Sequence, residues 1–181
     1  MRSRTFFLFV ALSFALLWLG LARACPAAAE DLKLDKDTAL PIAGKGTKLM
    51  FAGGTKVKLN GERQVEQGVI AQDTALGVPG IAPGPTFKKG TKVTFAWQGI
   101  VKEGTLADDA VLKVEGTGQS IRFKGGCKVI FGDSGLLCGT LAESLSLPNP
   151  ARRWVPETFP AGTYVMFTAI TGHVYLVVPP K

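Results

Sequence analysis

Apolar and polar residues alternate in four short runs, Thr55-Lys-Val-Lys-Leu59, Thr91-Lys-Val-Thr-Phe95, Cys127-Lys-Val-Ile-Phe131 and Thr163-Tyr-Val-Met-Phe167. In each, the Val and the Leu or Phe two places on share one face of an extended chain. A period of two carried by β-branched and aromatic residues marks a half-buried β-strand. Every run stops at a turn signal: Asn60-Gly61, Gln98-Gly99, Gly132-Asp133 and Thr171-Gly172. Asn-Gly between alternating runs predicts a two-residue hairpin turn, whose central residues both need positive φ. Apolar runs at 64–70, 100–106, 136–141 and 173–178 supply the return strands. Brief strands are also expected just before Phe123 and Phe159, reached through Gly- and Pro-rich links such as 77–85 and 147–153. No amphipathic helical pattern follows residue 29.

The runs recur because the sequence does. Phe51, Phe87, Phe123 and Phe159 stand 36 apart, as do Gly54, Gly90, Gly126 and Gly162. Asp37-Thr-Ala-Leu40 returns as Asp73-Thr-Ala-Leu76 and as Asp109-Ala-Val-Leu112. A unit this small cannot hide its own apolar face and must stack on its neighbours. The periodic Phe is expected as a buried ladder, the Gly as a turn residue with φ > 0, and the Asp as a side chain bonding its own backbone in a turn. The predicted fold is all-β: four tandem antiparallel β-hairpin units, one per 36-residue period, in an open, solenoid-like stack. Closure into a four-bladed propeller or barrel is the alternative, since about four short strands per unit approach a blade.

Residues 1–29 follow the plan of a secretory signal peptide. Arg2 and Arg4 precede an apolar stretch from Phe6 to Leu21, and small residues follow at Ala22-Arg23-Ala24 and Ala27-Ala28-Ala29. The apolar stretch is short for a bilayer span, which needs roughly 20 residues. Cleavage is expected after Ala29, leaving 30–181 as a single exported domain, periplasmic or extracellular, with no transmembrane segment. Arg23, two places before Cys25, argues against a lipid anchor on that cysteine. Loss of Arg2, Arg4 and Arg23 lowers the formal net charge of +7 by three. The mildly basic remainder speaks against nucleic acid and leaves a bias toward anionic surfaces.

Two cysteines remain, Cys127 and Cys138. In an oxidising compartment an even pair points to a disulfide. Around a two-residue turn at 132–133, residue 127 faces residue 138. Directly opposed residues lie about 4.5–5.5 Å apart, within disulfide reach.

Motifs that carry chemistry are few. Gly132-Asp133-Ser134-Gly135 looks like the surroundings of a serine protease nucleophile, but the single histidine, His173, comes after it, and the tract falls in a predicted turn. His173 has no Cys, His or Asp partner at metal spacing. Gly44-Lys45-Gly46-Thr47 lacks the spacing of a phosphate loop. Asp108 and Asp109 are adjacent, so on a strand they would point to opposite faces. No acid–base pair for glycoside hydrolysis stands out, and no catalytic residue, metal or cofactor is implied. What remains is a lysine row: Lys56, Lys92 and Lys128 hold the same place in successive units, opposite the Val and Phe face. Trp97, beside the second turn, and Trp154, near Arg152 and Arg153, are candidates for contact with a sugar or a partner, with core packing as the alternative.

The phrases Gly90-Thr-Lys-Val-Thr-Phe95 and Gly99-Ile-Val-Lys-Glu-Gly-Thr-Leu-Ala107, with their relatives over 33–181, resemble those of tandem β-hairpin repeat proteins secreted by bacteria. The resemblance implies architecture alone, because that family carries no assigned chemistry. The fourth unit departs from it, with Tyr164 in place of Lys and no Gly-Thr-Leu-Ala return, and is expected to act as a terminal cap. The function expected is that of a non-catalytic secreted or periplasmic binding or structural module of the cell envelope. Its partner would be an anionic envelope polymer or glycan, or another protein. The alternative is an enzyme acting on envelope polysaccharide through carboxylates that no motif singles out.

Overall fold

The computed structural model describes residues 29–44, 46–96, 98–148, 155–171 and 173–180. The proposed leader through residue 28, Cys25 included, lies outside the described residues, as do Trp97 and Trp154. Among the described residues every regular element is a strand.

Nine strands form one antiparallel sheet. In spatial order they are β1 (Glu30–Lys33), β4 (Lys56–Leu59), β5 (Val65–Val69), β8 (Lys92–Phe95), β9 (Val101–Thr105), β12 (Lys128–Phe131), β13 (Leu136–Thr140), β16 (Tyr164–Phe167) and β17 (Val174–Val178). The outermost strands, β1 and β17, each have one neighbour, so the sheet stays open rather than closing into a barrel. Four two-stranded sheets accompany it: β2 (Thr38–Pro41) with β3 (Lys48–Phe51), β6 (Thr74–Ala75) with β7 (Thr86–Phe87), β10 (Ala110–Lys113) with β11 (Ser120–Phe123), and β14 (Leu145–Pro148) with β15 (Pro156–Phe159).

The alternating runs become β4, β8, β12 and β16, which start 36 residues apart. Their Val residues, Val57, Val93, Val129 and Val165, are fully buried on one face. The Phe residues ending β3, β7 and β11 pack on that same face and are equally buried. Ala52 and Ala71 fasten β3 to the exit of β5 by hydrogen bonds to Val69 and Met50 of 2.8 and 3.0 Å. Lys88 and Ala107 repeat this pair for β7 and β9. Each buried Phe contributes roughly 1.5–3 kcal/mol. Phe123 also meets the ring of Phe167 edge-on, with centroids 6.5 Å apart, which ties one period of the core to the next. A single apolar cluster runs from Leu34 to Val174.

Three expectations need correcting. The Asn60-Gly61 pair is not the centre of a two-residue turn. Arg63 N–H donates to Asn60 O and Asn60 N–H to Gln64 O, and the positive φ, 59°, falls on Arg63. This is a three-residue loop closed by a bulge. The next turn repeats it with Gly99, φ 68°, in the same place. The Asn60 side chain supports the loop by accepting from the N–H groups of Glu62 and Gln64.

The disulfide is the second correction: Cys127 and Cys138 are both free. The turn sets Phe131 opposite Leu136, two places beyond the expected register, and a bulge between Ile130 and Phe131 adds a third, so Cys138 pairs with Ile130 rather than facing Cys127. The wider turn and the bulge together slide every later pair.

The third concerns the periodic Asp. Asp37, Asp73 and Asp109 do not bond backbone of their own turn. Each accepts from a backbone N–H sixteen residues on, at Gly53, Lys89 and Gly125, over 2.6–2.8 Å. The carboxylate therefore clasps the turn that follows the repeat Phe. The periodic Gly behaves as expected, with φ of 74°, 70°, 72° and 86° at Gly54, Gly90, Gly126 and Gly162.

Candidate polyanion-binding face

The second face of the long sheet points away from the Val and Phe core. Strand pairing places its residues in two rows running across the strands. Lys33 faces Lys56, Val69 faces Lys92, Lys128 faces Thr105, Thr140 faces Tyr164, and Tyr164 faces Val178. Lys56, Lys92 and Lys128 thus stand in one row, on every second strand, and all three are exposed. The structure adds Lys33 to them through β1. That strand lies outside the 36-residue frame, and its Glu-Asp-Leu-Lys sequence carries no alternation that would have marked it.

The parallel row is mixed. It reads Asp31, Lys58, Gln67, Thr94, Glu103, Ile130, Cys138, Met166 and Leu176 from edge to edge. That row carries one cation, Lys58, against Asp31 and Glu103, so net positive charge lies along the first row. It also weakens toward the far end. Lys128 Nζ is held by Glu103 Oε1 at 2.8 Å, whereas Lys33, Lys56 and Lys92 make no ion pair among the described residues. Lys33 and Lys56 are directly opposed like charges, an arrangement that costs stability. Between Lys56 and Lys92 lies a shallow depression of about 210 Å³ that Asp31, Lys58, Gln67 and Val69 also line.

Beyond Lys128 the face turns apolar. Cys138 is buried there beside Tyr164, whose hydroxyl donates to the thiol. Burial pushes the Cys138 thiol up, against the opposing pulls of that hydrogen bond and of the Lys128 charge. Burial, then the bond to Cys138, pushes the Tyr164 phenol up to about 12. The final strand leaves Tyr175, Leu176 and Val178 at 67%, 43% and 45% exposure.

Other candidate chemistry does not converge. A groove of about 590 Å³ opens between the second and third turns, lined by Phe95, Gln98, Ile100, Lys102, Phe131 and Asp133, the last being the one carboxylate among its described lining residues. Behind it Glu115 is buried. Its Oε1 accepts from Asp133 N–H at 3.2 Å, and its Oε2 has no partner among the described residues. Sequence reasoning passed over Glu115 because the matching places in earlier units hold Ala43 and Pro79. Gly132, in the turn, is where this carboxylate packs, and a Cβ there would collide with it, while Gly135 lies against the backbone of Lys113 and Glu115. Asp109 is occupied by its clasp on Gly125. Among the described residues no group of three or more His, Cys, Asp or Glu side chains could hold a metal, and no helix is long and apolar enough to cross a membrane.

No family model matches this chain, and neither a curated protein nor a solved structure matches it.

Proposed function

We propose that the protein is a non-catalytic binding module of the cell envelope, exported by its N-terminal leader, that takes hold of an anionic polymer through its lysine row. It consists of four tandem β-hairpin units like those of the secreted bacterial repeat proteins it resembles. The observation that carries this proposal is the placement of Lys56, Lys92 and Lys128 in one exposed row on the outer face. Three cations on one line attract a polyanion more strongly than the same charges scattered over the surface. An enzyme acting on envelope polysaccharide is the weaker alternative. Glycoside hydrolysis needs two carboxyl groups about 5–9.5 Å apart, and the groove's described lining offers Asp133 alone.

The test is co-sedimentation of the purified protein with isolated cell-envelope fractions, at low salt and at about threefold physiological salt. Binding is expected at low salt and should be lost at high salt. It should also be lost when Lys56, Lys92 and Lys128 are all changed to Gln. Binding that survives in the triple variant would sink the proposal.

A further inference from the structure

Given that the lysine row is the binding element, its spacing narrows what it binds. We infer that the outer face holds a linear acidic glycan laid across the strands, carrying one anionic group for every two sugars. Neighbouring strands are about 4.8 Å apart. Lys56, Lys92 and Lys128 occupy alternate strands, so their charges repeat at about 9.5 Å. Val69 and Thr105 fill the intervening places and are short, which leaves a gap between successive lysines. Polynucleotides carry charge far more densely, one per roughly 1.7 Å of duplex. A membrane presents its charge in two dimensions, whereas the neighbouring row here sets Asp31 and Glu103 against one cation, Lys58, and offers such a surface no net positive charge.

The first subsite is the depression between Lys56 and Lys92. Val69 offers an apolar floor for a sugar face, while Gln67, steadied by a 3.1 Å hydrogen bond to Thr94, offers a polar group for sugar hydroxyls. Lys33 and Lys56, opposed and unpaired, are relieved by an anion placed between them. Lys128 contributes least, because Glu103 already neutralises it.

The experiment titrates the whole protein with three polymers of equal length at one ionic strength. Hyaluronan carries one carboxylate per disaccharide, polygalacturonate one per sugar, and dextran none. Hyaluronan should bind at least as tightly as polygalacturonate despite its lower charge density, and dextran should not bind. Lys92→Gln should weaken hyaluronan about fivefold. Lys113→Gln removes the same charge from an exposed site off the row and should leave affinity within about twofold. Glu103→Gln should tighten binding by freeing Lys128. Thr105→Lys fills a gap and should shift preference toward polygalacturonate. Affinity that simply tracks charge density, or that falls equally with Lys92→Gln and Lys113→Gln, overturns the spacing inference while leaving a salt-sensitive envelope module intact. If neither acidic polymer binds but the envelope fraction still does, the glycan inference is wrong and the lysine row serves another anion.

Discussion

Gly104 lies against the ring of Phe87, so that a Cβ built on the glycine would stand 2.6 Å from the ring's Cδ1. The same relation joins Gly68 to Phe51 at 2.7 Å and Gly139 to Phe123 at 2.6 Å. The glycine of each return strand is thus set by contact, because only hydrogen fits under the ring. Each of these contacts joins a short hairpin to the long sheet. The ladder of buried Phe and the row of strand glycines are one feature seen from two sides.

Gly104→Ala is accordingly expected to destabilise the protein by about 1–3 kcal/mol through overpacking. Urea unfolding would measure it. Phe87→Leu will also cost stability, but the double variant should lose less than the sum of the two, since the residues touch. Strict additivity would show that the ring is not what excludes the methyl group.

Arg63 holds a positive φ of 59° where the following turn uses Gly99. A left-handed conformation costs a non-glycine residue about 1–2 kcal/mol. Glycine adds freedom to the unfolded chain, which offsets part of that gain. Arg63→Gly should therefore raise stability by about 0.5–1 kcal/mol. Gly99→Ala should lower it by a similar amount. A loss on Arg63→Gly would mean that the arginine side chain makes up for its backbone strain.

Much of this architecture can be read along the chain, and the misses have distinct physical causes. The four alternating strands, the buried Phe ladder and the positive-φ glycines follow from local pattern, and each lies where that pattern puts it. The disulfide and the Asn60-Gly61 turn depended on pairing register, and the reach of Asp73 on a contact sixteen residues away. A single bulged residue changes register without changing any local preference. The lysine row was legible because it needs only the 36-residue period and the alternation of faces. Lys33 was not, since β1 belongs to no repeat, and its place is fixed by the open edge of β4. Glu115 was invisible for the opposite reason: the repeat predicts a small apolar residue there.

Cys127 stands where the other units place a threonine. Thr55, Thr91 and Thr163 donate their hydroxyls to the carbonyls of Ala52, Lys88 and Pro160 at 2.6–2.7 Å. A thiol is a weak donor. Cys127→Thr should restore the bond, to Lys124 O, and stabilise the fold by about 0.5–1.5 kcal/mol. The thiols give a second check. Under oxidising conditions the native protein should keep both thiols free, with the partly exposed Cys127 alkylated first and the buried Cys138 only on unfolding. A mass two hydrogens lighter, without dimerisation, would restore the disulfide and refute the bulged register.

The Tyr164–Cys138 pair predicts how stability responds to alkali. The folded Tyr164 phenol, at about 12, lies above its ordinary value of 10.0. Folding therefore favours the protonated form. That contribution is fully present below pH 10 and is lost as pH rises through about 12. Burial raises the Cys138 thiol in the same direction, above its ordinary value of 9.0. The urea midpoint should thus fall steeply across the alkaline range, and Tyr164→Phe should flatten part of that fall by removing one of the two ionisations. Tyrosinate absorbance in a Tyr175→Phe background isolates Tyr164, because the chain has two tyrosines, and should rise near pH 12 in the folded protein. Parallel pH profiles for the native protein and Tyr164→Phe, or ionisation of Tyr164 near 10, would mean that solvent reaches the phenol and that the hydrogen bond to Cys138 does not hold it.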